Sequence, residues 1–380
     1  MMQRPIENEI SADSLKDRQI STWEVQELQT STGSTGLPKI SEAFGWNQLL
    51  GSKHQRILQL TENDVFGLPI PFAGGIANNA WCPAIHVPCK LAFLEKFTPV
   101  DSLKFIEREK VTVFFGVPAI GEMLIRVENL AQFDLSSLRI FFTAGAPMPP
   151  SLAKEIEEKM GCTVIGLLGS MDFGPISIAS VLDSETARRT SVGKALPGNE
   201  LRIINEQGED AALGEEGELI CRGPYAFTGY YQMPEMTLEM YAGDKDGWFR
   251  TGDLAKIDQE GNLYIVGRLK DVIKRGAMTI APVEIEDLLR RHPKVKEVSV
   301  ASMPDAILGE KVCAFVIPEP GAPLTFDEMV GFLRDKKLAT FKLPERLELL
   351  SEFPMVGGQK ISKKALTEMV TAKLKEEGKI

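Results

Sequence analysis

The chain of 380 residues carries a formal net charge of −10, is 43% hydrophobic and 25% charged, and holds five cysteines and three histidines. That length allows a sizeable core and points to two domains, with the composition of a globular chain. The acidic balance argues against a nucleic-acid or anionic-membrane partner, because counterion-release binding needs basic surface, but leaves room for a local basic pocket that takes a phosphorylated small molecule. Cys82, Cys89, Cys162, Cys221 and Cys313 are scattered, with no C-x-x-C pair. This argues against zinc and fits a reduced compartment. With no secretory-signal pattern and no bilayer-length apolar run, the expectation is a soluble cytoplasmic protein.

Residues 1 to about 25 are polar and expected to be poorly ordered. Next comes QTSTGSTGLPKI, Gln29 to Ile40. Three readings of this run compete. One is a flexible Gly/Ser/Thr linker. A P-loop fails on spacing: Gly33 to Gly36 is too short, two residues separate Gly36 from Lys39, and Ile40 follows the lysine. A different phosphate cradle remains open, built from glycine-freed N–H groups, hydroxyls and an ammonium.

From Asp64 to Ile120 a strand-like run, VTVFFGV (Val111 to Val117), accompanies a helical DSLKFIEREK. LRIFFTAGAPMPPSLAKEIEEKM reads strand, Gly/Pro turn, helix, and TVIGLLGSMDFG reads strand and loop. Such alternation predicts a parallel α/β layer with functional loops at strand ends. Beyond Ser191, ELRIINEQGED, GELICRG and NLYIVGR predict hairpins or a small barrel-like subdomain. After GRLKD, the segment VEIEDLLRRH predicts an amphipathic helix, VKEVSVASM and KVCAFVIP predict strands, and TFDE (Thr325 to Glu328) has capping-box spacing. A compact α+β module of about a hundred residues closes the chain, bounded near Leu269 and Lys270.

STGSTGLPK, GWFRTGDL (Gly247 to Leu254), GRLKDVIKRGAMTIAPVEIE (Gly267 to Glu286) and PMVGGQKISK (Pro354 to Lys363) occur in that order. Together they resemble the signature motifs of the adenylate-forming superfamily: acyl- and aryl-CoA synthetases, peptide-synthetase adenylation domains and luciferases. IEREKVT, RGPYAFTGYY and GEKVCAFVIP are most similar to the aryl-acid (dihydroxybenzoate-type) AMP ligases. The resemblance covers nearly the whole chain after residue 29. It implies an α/β fold: a truncated N-terminal AMP-binding domain over residues 1–268, with a β-rich subdomain at about 191–268, and a mobile α+β C-terminal lid over 269–380.

The implied reaction is attack of a substrate carboxylate on the α-phosphate of ATP, followed by transfer to a thiol. ATP, Mg²⁺ and CoA or phosphopantetheine are the implied cofactors. Catalysis would lie mainly in positioning and charge neutralisation. The resemblance gives Ser31, Thr32, Gly33, Ser34, Thr35, Gly36 and Lys39 to the polyphosphate, and Gly145, Ala146 and Pro147 of TAGAP to adenine. Leu168, Gly169, Ser170 and Met171 would also face the nucleotide. Thr35 and Asp172 would hold the metal and serve catalysis. Asp253 would accept from both ribose hydroxyls, and Arg268 would touch ribose or phosphate. Lys270 would be the hinge. Lys360 would bridge the attacking carboxylate and the α-phosphate, although Lys360, Lys363 and Lys364 also read as a solvated basic face.

Several residues depart from the family pattern. Leu168 stands where an aromatic is usual, Met171 for Thr or Ala, Asp172 for Glu, Gln359 for Gly and Ala277 for Gly. Phe72 stands for the family's common histidine, and Ala73 for the asparagine that dihydroxybenzoate enzymes place next. A pocket of Phe72, Ala73, Gly75, Val117, Pro118 and Met171 would be apolar, suited to a plain aryl or acyl acid rather than a catechol acid. The phosphate loop also begins about thirty residues in, where family members carry a long preceding segment. That implies a truncated chain, a reduced N-terminal layer or a complementing partner chain. Two functions follow: an acid–AMP and acid–thiol ligase working with a small carboxylic acid and a carrier protein or CoA, or an impaired nucleotide- or acyl-binding module or split-ligase subunit.

Overall fold

The computed structural model describes residues 24–30, 39–44, 52–70, 75–171, 173–226, 229–241, 246–356 and 360–380. Strands β1 (Val25–Thr30) and β2 (Ile40–Phe44) pair antiparallel, with Thr30 opposite Ile40. The Ser/Thr/Gly run therefore joins two paired strands, while residues 31–38 lie outside the described residues, as does the expected disorder of the first twenty-three.

Helix α1 (Ser52–Leu58) leads into the central sheet. Its parallel strands are β3 (Val65–Leu68), β4 (Lys90–Phe93), β5 (Val113–Gly116), β6 (Ile140–Thr143) and β7 (Thr163–Ser170). Strands β8 (Gly174–Ile178) and β9 (Lys194–Ala195) complete it antiparallel, in the order β4-β3-β5-β6-β7-β8-β9. Helices α2 (Gly75–His86), α3 (Pro99–Glu109), α4 (Pro118–Ile125) and α5 (Pro150–Met160) supply the crossovers. A short α6 (Glu185–Thr190) precedes β9.

VTVFFGV and LRIFFTAG lie side by side, Phe114 opposite Phe141 and Phe115 opposite Phe142. Strand alternation sends Phe115 and Phe142 to one face, their rings 4.9 Å apart, against Leu58, Ala77 and Ala80 of α1 and α2. It sends Phe114 and Phe141 to the other, against Phe105, Leu124 and Ile156 of α3, α4 and α5. A strand buried on both faces reads as a continuous apolar run, and each such buried side chain contributes about 1.5–3 kcal/mol.

The strand order places β4 on one side of β3 and β5 on the other. Crossovers thus diverge between β3 and β5, a switch point at which open parallel sheets bind ligands beyond their carboxyl ends. Pro69–Ile70, Val117–Pro118, Ala144–Pro147 and Met171 all leave from that edge. The amino edge is held by a clasp. Arg139 donates from Nε and Nη2 to the two carboxylate oxygens of Asp64, both at 2.8 Å, and Thr112 Oγ1 donates to Asp64 Oδ1 at 2.6 Å.

Four strands form the β-rich part: β10 (Glu200–Ile204), β11 (Gly217–Arg222), then, after β12 (Gly229–Tyr230) and α7 (Pro234–Met240), β13 (Phe249–Ile257) and β14 (Leu263–Arg268). Their order β10-β11-β13-β14 makes an open antiparallel sheet rather than a barrel. β12 leaves this sheet and pairs with β2, Tyr230 opposite Ser41.

The last part is α+β. A sheet in the order β16-β15-β18-β17 contains β15 (Ile273–Arg275), β16 (Met278–Ile280), β17 (Val295–Asp305) and β18 (Gly309–Pro318). Parallel β19 (Arg346–Leu349) joins β18. Helices α8 (Pro282–Leu289) and α9 (Phe326–Asp335) cover one face with Ile285, Leu289, Met329 and Leu333. The capping box at Thr325 and Glu328 is formed. A hairpin of β20 (Met355–Val356) and β21 (Lys360–Ile361) leads to α10 (Lys363–Glu376), which covers the other face with Leu366, Val370 and Leu374. No helix among the described residues is long and apolar enough to cross a membrane.

Candidate functional site

Asp253 in the middle of β13 faces Arg268 at the end of β14 in the ladder. Arg268 Nε lies 2.7 Å from Asp253 Oδ1. The pair is lopsided: Asp253 is only 4% exposed, whereas half of the Arg268 side chain meets solvent. Burial pushes the Asp253 carboxyl above its ordinary value, and the positive charges of Arg268 and Lys270 pull against that rise. The RTGDL sequence builds this placement locally. Thr251 Oγ1 donates to Leu219 O at 2.7 Å and accepts from the Asp253 N–H at 3.0 Å. Gly252 sits at φ 69°, which glycine adopts without the Cβ clash, and its carbonyl accepts from Leu269 N–H at 2.9 Å.

A recess of about 70 Å³ opens beside this carboxylate. Leu168, Gly169 and Ser170 of β7 form one wall and Thr251, Asp253 and Arg268 the opposite one, with Ile176, Met240 and Phe249 completing it. The volume admits a few water-sized groups, enough for the edge of a ribose and less than a nucleotide. Thus residues 83 or more positions apart, singled out separately in the sequence, share one hollow. Thr251 and Phe249 were not singled out although both belong to GWFRTGDL. Ile176 and Met240 carry no sequence signal, since they read as ordinary core. Phe249 stacks near Phe173 and Tyr241, at 5.5 and 5.8 Å between ring centroids, so the recess has an aromatic wall despite Leu168.

A second group gathers at the carboxyl edge of the parallel strands. A Cβ on Gly75 would lie 2.8 Å from Met171 Sδ, and one on Gly145, at φ 81°, would lie 3.3 Å from Ile76 Cδ1 and 4.0 Å from Val117 Cγ1. Met171, Gly75, Ile76, Gly145 and Val117 are therefore linked neighbour to neighbour, and no charged side chain is among these five. Pro118 starts α4 beside them. Gly145, Ala146 and Pro147 are exposed at the end of β6 and do not line the Asp253 recess.

Lys39 Nζ lies 4.8 Å above the Tyr230 ring, a favourable cation–π placement. Lys270 occupies the exposed turn between β14 and β15, where Asp271 and Val272 N–H groups bond Arg268 O. Lys360 opens β21 opposite Val356. Ser31, Thr32, Gly33, Ser34, Thr35, Gly36, Phe72, Ala73, Asp172 and Gln359 lie outside the described residues. Hence the phosphate loop and both candidate metal ligands have no geometry to report. Among the described residues no cluster of His, Cys, Asp and Glu could hold a metal. The solvated-face reading of the basic cluster holds for Lys364, 88% exposed, but Lys363 is only 23% exposed and ion-paired to Glu286.

The AMP-binding enzyme profile matches residues 5–231, more than half of the chain. The chain belongs to the AMP-binding enzyme family. The family's C-terminal domain profile matches residues 284–360. A 2,3-dihydroxybenzoate–AMP ligase of Bacillus subtilis (strain 168) is 32% identical over 374 residues, covering 97% of this chain and 68% of that protein. A medium-chain fatty-acid–CoA ligase of Escherichia coli (strain K12) is 32% identical over 352 residues, covering 91% of this chain and 61% of that protein. The crystal structure of ATP-bound MatB from Rhodopseudomonas palustris superposes with a TM-score of 0.85 at 28% identity, covering 92% of this chain and 69% of that one. This AMP-binding enzyme chain thus spans about two thirds of the length of the relatives it matches. The expected adenylate-forming fold, a large α/β part with a small α+β part following it, is the one observed.

Proposed function

We propose that the chain is an ATP-dependent carboxylic-acid ligase that forms an acyl- or aryl-adenylate and passes the acyl group to the thiol of CoA or a carrier's phosphopantetheine. The observation that carries this reading is the buried Asp253 carboxylate facing Leu168–Ser170 across one recess, with Arg268 at its mouth. A buried acid left ionised beside an exposed guanidinium is matched to a neutral diol, because each hydroxyl donates to one carboxylate oxygen. Ribose meets that requirement, and Arg268 at the rim is placed for the negative charge beyond it.

In the first step a carboxylate oxygen of the acid bonds to the α-phosphorus and the bond to pyrophosphate breaks. Lys360, donating to both the acid and the α-phosphate, would stabilise the charge as it moves between them. In the second step thiolate sulfur attacks the acyl carbon and AMP leaves with the electron pair of the broken C–O bond. Thr35 and Asp172 remain the proposed Mg²⁺ holders, and Mg²⁺ would supply charge neutralisation on the phosphates. Among the described residues, Gly75, Ile76, Val117 and Met171 bring apolar groups and no charged side chain to this edge, so a plain aryl or acyl acid is the proposed substrate class. The division into 1–268 and a lid at 269–380, with Lys270 as pivot, is proposed on the exposed turn that separates β14 from β15.

ATP–pyrophosphate exchange with Mg²⁺, run across benzoates, cinnamates and fatty acids, tests this. The expected result is exchange that depends on one class of unsubstituted aryl or alkyl acid. A second reading, an acyl- or nucleotide-binding module without turnover, is favoured by Leu168 at the adenine wall. It predicts ATP binding by calorimetry with no exchange for any acid.

A further inference from the structure

Two motif segments whose roles remain open, APVEIE in α8 and the lysine after GGQKIS in α10, meet over one residue of β17. Lys363 Nζ donates to Glu286 Oε1 at 2.7 Å and to Val300 O at 2.9 Å. The Val300 N–H donates to the same Glu286 oxygen at 2.8 Å. Among the described residues β17 is the last strand of its sheet and pairs with β18 alone, Val300 opposite Ala314. Its outward N–H and C=O would otherwise be open edge groups, which cost free energy when buried unpaired. Glu286 and Lys363 satisfy both and neutralise each other. Their side chains are 12% and 23% exposed, so this is a shielded pair rather than a surface one.

The pair fixes more than an edge. Lys363 is the first residue of α10, and Ser362 before it caps the helix, its Oγ accepting from Ala365 N–H. The Ser362 N–H donates to Pro354 O at 2.8 Å and closes the base of the β20–β21 hairpin. Lys360 therefore lies three residues from an anchored position, in a two-stranded hairpin whose described pairs are Met355 with Ile361 and Val356 with Lys360. We propose that Glu286 and Lys363 are positioning residues for Lys360, clamping the root of its hairpin to β17 and α8 so that the Lys360 ammonium is presented in one geometry. This rests on the proposed adenylation role of Lys360. Displacement of a reacting group by about 1 Å costs on the order of 100-fold in rate.

The test compares Lys363→Met, Glu286→Gln and Lys363→Arg with the wild-type chain in acid-dependent ATP–pyrophosphate exchange. Lys363→Met and Glu286→Gln are expected to lower kcat by roughly 10- to 100-fold with the ATP affinity from calorimetry unchanged. Lys363→Arg, which can still reach both acceptors, should recover most of the rate. The double variant Lys360→Ala/Lys363→Met should be no slower than Lys360→Ala alone, because a clamp acts only through the group it positions. Full multiplication of the two defects, or wild-type exchange in Lys363→Met, would overturn the inference. If Lys360→Ala itself exchanges like wild type, it is the functional reading that fails. The clamp is then judged by amide hydrogen exchange over residues 360–366, where unchanged protection in both Lys363→Met and Glu286→Gln also overturns it.

Discussion

Asp253 is held at a cost. Its carboxyl is raised by burial, with Arg268 and Lys270 only partly offsetting this. A raised carboxyl keeps its proton in the folded state at a pH where the unfolded chain has lost it. Stability therefore falls as pH rises from the ordinary carboxylate range through the raised value. Asp253→Asn removes that penalty without changing shape, so its melting temperature at pH 7 is expected to exceed that of the wild type, as thermal denaturation would read. A lower value would mean that the Arg268 pairing outweighs desolvation. His54 acts in the opposite pH window. It is 4% exposed, neither ring nitrogen has a hydrogen-bond partner among the described residues, and burial lowers its pKa to about 4. The unfolded chain takes up this proton first, so stability present above pH 6.5 is lost as pH falls towards about 4. The loss is roughly 3 kcal/mol. Urea titrations between pH 7 and 4 should show that slope, and His54→Leu should flatten it. Neither residue's burial was legible in sequence, because a single Asp or His outside a periodic apolar pattern carries no burial signal. Only the position of Asp253 within GWFRTGDL marked it, and the same motif marks Phe249 and Thr251 just as well.

At the scale of elements, the strands of the central sheet were readable because they are apolar on both faces. VTVFFGV and LRIFFTAG could be little else. Helix α10 was missed for the converse reason. Its buried face is a narrow stripe of Leu366, Val370 and Leu374, and lysines and glutamates fill the rest. The β1–β2 hairpin was hidden likewise by its polar, half-exposed strands. The clasp at the amino edge joins Asp64 to Arg139 across 75 positions and Thr112 across 48, which no local pattern reports. Burial by itself would raise the Asp64 carboxyl, yet hydrogen bonds from Arg139, Thr112 and the Thr61 N–H hold it below its ordinary value. Its stabilisation is complete above the usual carboxylate range and is lost as pH falls through the lowered value. Asp64→Ala leaves the part-buried Arg139 with only the Leu58 and Gln59 carbonyls among the described residues and is expected to cost about 2–3 kcal/mol in urea denaturation at pH 7. A loss below about 1 kcal/mol, the scale of a solvent-exposed pair, would contradict this account of the clasp.

Across the whole molecule, the two parts touch through polar contacts such as Ser151 Oγ to Asp287 Oδ1 at 3.0 Å. Contacts of this kind contribute only about 1 kcal/mol each, which suits a part that is proposed to move. The Lys270 turn is exposed and next to Asp253, so tryptic cleavage after Lys270 is expected to slow when ATP is added; an unchanged rate would separate that turn from the nucleotide site. The ordered motifs made the family and the two-part fold legible, whereas the recess that joins β7 to β13 and β14 depends on tertiary packing alone. That recess carries the central claim, and calorimetric titration of ATP into the wild-type chain and Asp253→Asn tests it most directly. The account predicts saturable binding by the wild type and affinity weakened by roughly 10-fold or more in the variant, the loss expected when a charged acceptor of buried hydrogen bonds is neutralised. Equal affinities for the two proteins would contradict it and remove Asp253 from the nucleotide site.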